Sequence, residues 1–331
     1  MNHYDVIIIG AGPAGIGCAI SAVKRDLQTL LIEKGNVANS IINFPAQMTF
    51  FSTASELELH GVPFNSQGLK PERIEAVKYY QSLIRYFKIP VAAMTRVKGL
   101  QKKNGSFRIL AEKDNSEVQM AARFVILATG FYDNPNELDI PGESLPHVSH
   151  YYREPFEHFN QNVIVVGGKN SAVEAALDLH RHGAKVSLIH RRPEIKESVK
   201  YWVLPDIENR IKEGSISVFL SARLTRILPG SVEIKHEHKT TRLAAEAVYL
   251  LTGYHPDLSL LAQSGAVYEK DALIPAVDPD TLEASTENLY VAGSLLAGRN
   301  ANRIFIENSR AHGEMILKDI AEKIKNSKSK S

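Results

Sequence analysis

The chain has 331 residues, room for two domains of about 150 residues each. Apolar residues make up 44% and charged residues 23%, which excludes a disordered chain, and a net charge of +2 gives no field pointing to nucleic acid or to a membrane surface. One cysteine, Cys18, excludes an intrachain disulfide and a zinc site built on several thiolates. No apolar run approaches the roughly 18 residues of a spanning helix, and the N-terminus passes straight into strand-like sequence, so a cytoplasmic protein is expected.

Tyr4 to Ile9 is a β-branched apolar run of the kind that makes a strand buried on both faces. Gly10-Ala11-Gly12-Pro13-Ala14-Gly15 follows, then a small-residue helix to about Arg25 and a second strand, Thr29 to Glu33. Pro71 to Phe87 reads as an amphipathic helix. Val97 to Leu110 reads as a hairpin turning at Asn104-Gly105, a pair that tolerates the positive φ angles of a tight turn. A strand from Arg123 to Ala128 meets Thr129-Gly130, and the Pro-, Asn- and Asp-rich stretch Tyr132 to Pro146 suits a connection between domains. The opening pattern then returns 157 positions on: the strand Asn162 to Val166, the turn Gly167-Gly168-Lys169-Asn170-Ser171-Ala172, a helix, and the strand Lys185 to Ile189. Thr252 to Asp257 marks a crossing back. A strand from Leu289 to Ala292 and a long helix from about Asn302, with Ile316, Ile320 and Ile324 on one face, complete the chain before a lysine-rich tail.

Each glycine turn has a physical logic. A dinucleotide needs a tight turn, a backbone open to its pyrophosphate and a helix packed close to the strand, and Gly10, Gly12 and Gly15 supply one each. The phosphates then meet free amides at the positive end of the helix, where Pro13 loses nothing by lacking its own. Glu33, 23 residues after Gly10, can accept hydrogen bonds from both ribose hydroxyls. In the second turn Lys169 stands at the middle glycine position and Ala172 at the last, with Gly168 beside them. Under the repeat Glu33 falls on His190, followed by Arg191 and Arg192; cations there suit a ribose 2′-phosphate that a carboxylate would repel. The first unit therefore prefers an unphosphorylated ribose and the second prefers NADP(H); FAD facing NADPH makes a hydride acceptor facing a donor. A solvated strand end is the plain alternative for the two arginines.

These pieces resemble the two-dinucleotide-binding flavoproteins of the thioredoxin-reductase-like branch: GAGPAG with Glu33, VILATG at 125–130, VVGGKNSAVEAA at 165–176, HRR at 190–192 and VAGSLLAG at 291–298. Longer segments, 39–64, 196–216 and 297–315, look like the bacillithiol disulfide reductases. The resemblance implies two Rossmann-like α/β domains: a discontinuous FAD domain over 1–131 and 253–325, an NADPH domain over 150–252 inserted in it, and a frayed tail at 326–331. It places Lys34, Asn39, Ser40, Pro45, Met48, Phe51, Thr129, Gly130, Gly293, Ser294, Ala301 and Ile304 at the FAD. It places Gly167, Gly168, Asn170, Ser171, His190, Arg191 and Arg192 at the NADPH. Met48, Phe50 and Phe51 carry a competing reading as core residues. The start of the last helix, around Asn300 to Ile304, is expected beside the flavin, and a homodimer is expected by analogy.

Three departures stand out. Thioredoxin reductases carry a redox CxxC before the second turn, where this chain reads His150 to Phe156 without cysteine. The bacillithiol-related enzymes carry a cysteine at the position of Ala14, whereas here Cys18 follows one helical turn later. It is the one candidate catalytic thiol, against a plain reading as a packing residue. Related enzymes also place an aspartate where Ser294 stands. The expected activity is NADPH-dependent, FAD-mediated reduction of a low-molecular-weight disulfide without a dithiol in the chain. The competing readings are a ferredoxin or flavodoxin NADP reductase, whose partner is a small electron carrier, then a flavin monooxygenase and a non-enzymatic redox sensor.

Overall fold

The computed structural model describes residues 2–195, 199–237, 239–300 and 303–328. The chain divides into two compact units: residues 1–42, 48–134 and 254–331 form unit 1, and residues 43–47 and 135–253 form unit 2.

Unit 1 opens with β1 (Asn2–Ile9), α1 (Pro13–Val23), β2 (Thr29–Ile32), α2 (Asn39–Ile42) and α3 (Arg73–Tyr86). There follow β3 (Val91–Ala92), β4 (Thr95–Lys103), β5 (Ser106–Lys113) and β6 (Ser116–Leu127). Strands β3, β2, β1 and β6 lie side by side and parallel. The apolar run Val6–Ile9 is buried on both faces, as its composition requires. The hairpin β4–β5 turns at Asn104 and Gly105, with φ of 50° and 78°. Strand β6 starts seven residues earlier than its apolar stretch suggests, because its polar first half pairs antiparallel with β5 before its apolar half joins β1.

Unit 2 holds β7 (Val148–Ser149), β8 (Asn162–Val166), α4 (Asn170–Arg181), β9 (Lys185–Ile189), α5 (Leu204–Lys212) and β10 (Ser217–Phe219). These are followed by β11 (Arg223–Leu228), β12 (Ser231–His236), β13 (Lys239–Ala244) and β14 (Ala247–Leu250). Its parallel sheet runs β10-β9-β8-β14-β7, and β11–β13 form an antiparallel meander. Alternation along β8 explains the layers. Val163 and Val165 pack with the α4 residues Ala172, Val173 and Ala176, while Ile164 and Val166 pack with Leu224, Ile227, Val232 and Ile234 of the meander. Leu138, Ile140, Leu145 and Val148 join the second layer, so this unit reaches back to Pro135 rather than starting near 150.

The chain then returns to unit 1 with α6 (Ser259–Gln263), β15 (Tyr268–Glu269), β16 (Ile274–Pro275), β17 (Leu289–Val291), α7 (Ile306–Ser309) and α8 (His312–Lys328). Strand β17 lies parallel to β6. A continuous final helix from Asn302 is not what forms. Asn302 lies outside the described residues, Arg303 to Phe305 are non-helical, α7 is one turn, and the long helix starts at His312. It continues to Lys328, beyond the expected frayed boundary at 326; residues 329–331 lie outside the described residues.

Helix α8 is tied at both ends. Gly313 meets α1 so closely that an added Cβ would stand 2.7 Å from the Gly17 carbonyl oxygen. Near the other end, Tyr290 of β17 is fully buried and donates its hydroxyl to Asp319 (2.5 Å), while Lys323 pairs with Asp319 (2.9 Å) and Glu283 (2.5 Å). Glu314 accepts from Ser21 of α1 and from Arg25 in the turn after it, both at 2.8 Å, and the Arg25 hydrogen bond holds its carboxyl down to about 2. A depressed carboxylate stabilises the fold above its ordinary value of 4.5, and that contribution drains away as the pH falls from there towards 2. The pair is half-exposed, so Glu314→Gln should cost only about 1 kcal/mol at neutral pH. Melting temperatures should therefore differ at pH 7 and converge as the solution is acidified from about 4.5 towards 2; a constant gap would refute this ion-pair account.

Candidate cofactor sites

In unit 1 the first glycine turn closes under the end of β6. Gly10 has φ of 107°, and a Cβ there would fall 2.3 Å from the Ala128 carbonyl oxygen. A Cβ on Gly15 would fall 1.8 Å from the carbonyl oxygen of Gly10, so helix and strand touch through bare backbone. A Cβ on Gly12, by contrast, would meet nothing within 4 Å. No side chain caps α1, and its first-turn amides open onto that space. This is the form an anion needs: a close backbone approach beside a positive helix end.

Glu33 stands beside the turn, 7% exposed, with one carboxylate oxygen accepting from the Ala11 amide (2.8 Å) and the other from Gly35 (2.9 Å). Two backbone donors fix the carboxylate and leave further lone pairs for ribose hydroxyls. Ala38 also donates to the Ala11 carbonyl (2.9 Å), which draws the loop carrying Asn39 and Ser40 towards the turn.

The later motifs converge on the same place. A Cβ on Gly293 would lie 2.6 Å from that of Ala14, and one on Gly130, which follows Thr129, would lie 3.6 Å from the Ser294 hydroxyl oxygen. One contributor was missed in the sequence: His312, at the start of α8, accepts the Gly293 amide proton at Nδ1 (3.0 Å), and burial lowers its pKa. It therefore carries its proton on Nε2 and is neutral at pH 7. Nothing in its sequence neighbourhood signals this; only the spacing from Gly293 to the α8 start could have.

Other assigned residues have neighbours of their own. Lys34 pairs with Asp133 (2.9 Å). Phe50 is buried and Phe51 is 57% exposed, with the Lys70 ammonium 5.0 Å from its ring centroid, so the core reading holds for the first and fails for the second. Met48 is half-buried, its carbonyl accepting from Arg73. Pro45 belongs to the 43–47 segment of unit 2, where Ala46 donates to the Arg153 carbonyl and Arg153 to Asn43. Ile304 is half-buried but precedes the one-turn α7, so no long-helix start supplies amides there; Ala301 lies outside the described residues.

Cys18 is 0% exposed, and burial pushes its thiol up to about 12. A thiol in that state is neither reachable nor ionised, so the assignment of Cys18 as a catalytic residue is corrected to packing within α1. The folded protein should leave Ellman's reagent unchanged and release one reactive thiol per chain on denaturation. Cys18→Ala should retain full turnover while losing about 1 kcal/mol of stability.

Unit 2 repeats the turn under the end of β14. A Cβ on Gly167 would meet the Leu251 carbonyl oxygen at 2.6 Å and the Ala172 side chain at 2.7 Å. Helix α4 has Lys169 as its N-cap with no side-chain cap; Ala172 and Val173 donate to the Lys169 carbonyl, so the uncapped amides are those of Asn170 and Ser171. Lys169 is exposed and extended, which explains how a lysine occupies the middle glycine position. Ser171 is exposed on the first turn; Asn170 instead uses its Oδ1 to accept the Lys200 amide (2.8 Å).

His190 does not act as a third cation. Its ring covers Gly168, where a Cβ would lie 2.2 Å from it, and burial, then the charges of Arg192 and Arg191, lower its pKa. It is neutral at pH 7 and shapes the turn, leaving the positive charge to the exposed Arg191 and Arg192. Among the described residues no group of three or more His, Cys, Asp or Glu side chains converges to hold a metal, and no helix is long and apolar enough to cross a membrane.

Two uncapped helix starts, one followed by a fixed carboxylate and one by paired arginines, fit two different dinucleotides. The family model for pyridine nucleotide-disulphide oxidoreductases matches residues 7–293, across both turns. The chain belongs to that family. It is a flavoprotein oxidoreductase whose cofactors are FAD and a nicotinamide dinucleotide. It is 39% identical over 325 residues to the bacilliredoxin reductase Bdr of Bacillus subtilis, covering 98% of this chain and 99% of that one. The structure of the bacillithiol disulfide reductase Bdr from Bacillus cereus matches with a TM-score of 0.95 at 39% identity, over 97% of this chain and 100% of that one. Lactococcus lactis thioredoxin reductase, 22% identical, shares the fold with a TM-score of 0.76 over 96% of this chain and 98% of its own. The two-unit flavoprotein architecture is thus the expected one.

Proposed function

We propose that the protein is an NADPH-dependent reductase of a low-molecular-weight disulfide of the bacillithiol type, acting without a dithiol of its own. One observation carries the coenzyme assignment: the turn that precedes Glu33 in unit 1 recurs in unit 2, where His190 stands in the acid's place and Arg191 and Arg192 follow it directly. The substrate assignment is supported by likeness along almost the whole chain to proteins named for bacillithiol disulfide and bacilliredoxin. In the net reaction one NADPH, one proton and one disulfide give NADP+ and two thiols. Bound FAD supplies the two-electron relay between coenzyme and disulfide.

The chain's own residues hold and select. Gly12 and the first amides of α1 receive the FAD pyrophosphate, and Glu33, braced by Ala11 and Gly35, receives its ribose. The first amides of α4 receive the NADPH pyrophosphate, above a turn that His190 closes at Gly168, and Arg191 and Arg192 receive its 2′-phosphate. The buried thiol of Cys18 removes a protein mixed disulfide from the cycle, so the substrate disulfide is reduced directly. That same burial favours one second reading, electron delivery to a ferredoxin or flavodoxin, which needs no thiol in the protein.

Anaerobic mixing of the purified holoprotein with NADPH or NADH, followed by a panel of acceptors, tests both. Bleaching of the flavin by NADPH at well over tenfold the rate with NADH is expected, followed by reoxidation by bacillithiol disulfide. Equal rates with both coenzymes would overturn the role of the arginines. Reoxidation by ferredoxin or flavodoxin but not by the disulfide would replace the first reading with the second.

A further inference from the structure

The strand carboxyl ends of unit 2 carry an aromatic surface that the phosphate cradle alone does not explain. The connection from β9 to α5 carries Arg191 and Arg192 near its start and Tyr201 and Trp202 near its end. Its far end is fastened to the start of α4. The Lys200 amide donates to Asn170 Oδ1 (2.8 Å), and the Lys200 ammonium pairs with Glu174 one turn along (2.5 Å). The same ammonium lies 5.8 Å from the centroid of the Trp202 ring, and Tyr201 meets Trp202 edge-on, centroids 4.8 Å apart. Despite this anchoring, Tyr201 is 82% and Trp202 41% exposed. Among the described residues of unit 2, the other large exposed apolar side chains are Phe156 and Phe159. Both lie at the opposite end of the sheet, against His182 after α4 and Gly183 before β9. The tyrosine–tryptophan pair is therefore the exposed aromatic surface on the coenzyme side, in the same connection as the paired arginines and beside the uncapped amides of α4.

Resting on the reading that unit 2 binds NADPH, we propose that Tyr201 and Trp202 form a stacking wall for the adenosine half of the coenzyme. A pyrophosphate cradle, two guanidinium groups and a flat apolar face match the three parts of adenosine 2′,5′-bisphosphate: the 5′-phosphate, the 2′-phosphate and the base. Adenine has a π-face that an aromatic ring accepts without needing specific hydrogen bonds. Lys200 holds the wall in place through its bonds to α4 and its contact with the indole.

Trp202 is the one tryptophan of the chain, so indole emission from the holoprotein reports this position alone. Adenosine 2′,5′-bisphosphate is the probe, since it carries no nicotinamide and leaves the flavin oxidised. Titration should change the emission saturably, with the dissociation constant that calorimetry gives. Nicotinamide mononucleotide should leave the emission unmoved. Trp202→Ala should weaken binding of the bisphosphate about tenfold and Trp202→Phe should restore most of it, both variants keeping the flavin absorbance of the parent. Calorimetric binding with unmoved emission and unaltered affinity in Trp202→Ala would overturn the wall while leaving the coenzyme reading standing. A response to the mononucleotide in place of the bisphosphate would overturn it too. No calorimetric binding of the bisphosphate at all would overturn the coenzyme reading, and the wall with it.

Discussion

Gly12→Ala should yield a folded but colourless protein. The residue sits at φ −76° and ψ 177°, a conformation open to alanine, and the new methyl group would touch no atom within 4 Å. The fold therefore loses no more than about 1 kcal/mol, the difference between a glycine and an alanine N-cap. The methyl group instead fills the space through which a pyrophosphate reaches the first amides of α1. Flavin affinity should fall about a hundredfold, roughly 3 kcal/mol. Visible absorbance after purification and titration of the flavin-free chain with FAD measure this, with circular dichroism as the check on folding. Gly15→Ala is the contrast: its Cβ would collide with the Gly10 carbonyl at 1.8 Å, so that variant should lose the fold with the cofactor. A yellow Gly12→Ala protein with parental FAD affinity would remove unit 1's turn from the cofactor site.

Replacing Arg191 and Arg192 together by alanine should abolish discrimination between the two nicotinamide coenzymes. Both side chains are exposed at the end of β9, so the substitution removes charge without opening a cavity. Charge-assisted contacts to a phosphate dianion justify a fall of about a hundredfold in kcat/KM for NADPH. NADH, which has no 2′-phosphate, should react as before. Because these cations lower the His190 pKa, removing them should also raise it, observable by NMR as an imidazole titration whose midpoint moves to higher pH. Unchanged preference for NADPH would mean that the arginines are only a solvated strand end.

Much of the fold was legible because the signal was local. The repeated strand, turn and helix declare themselves through β-branched runs and closely spaced small residues, and the Asn104-Gly105 turn is encoded in two positions. Legibility failed where a partner distant in the chain decides the outcome. The first half of β6 looks polar and becomes a strand because β5 pairs with it. The final helix begins at His312 rather than near 302, since Gly313 must pass against the Gly17 carbonyl and His312 must receive the Gly293 amide. Likewise, His190 reads as a cation in a basic triplet, yet its ring packs over Gly168 and loses its charge to burial and to the neighbouring guanidinium groups. Cys18 could be placed on its helix from sequence, but its complete exclusion from water depends on what packs around α1.

The tie between the two ends of the chain also orders its biogenesis. Strand β1 and helix α1 leave the ribosome before the insert, yet β17 and α8, which complete their unit, follow it. All but five residues of unit 2 form one continuous stretch and are translated in between. The insert can thus condense while the first strands still wait for their final neighbours, as domains generally fold as units during synthesis. A ribosome-stalled chain ending before β17 should accordingly protect the insert from protease and leave the leading segment open to digestion.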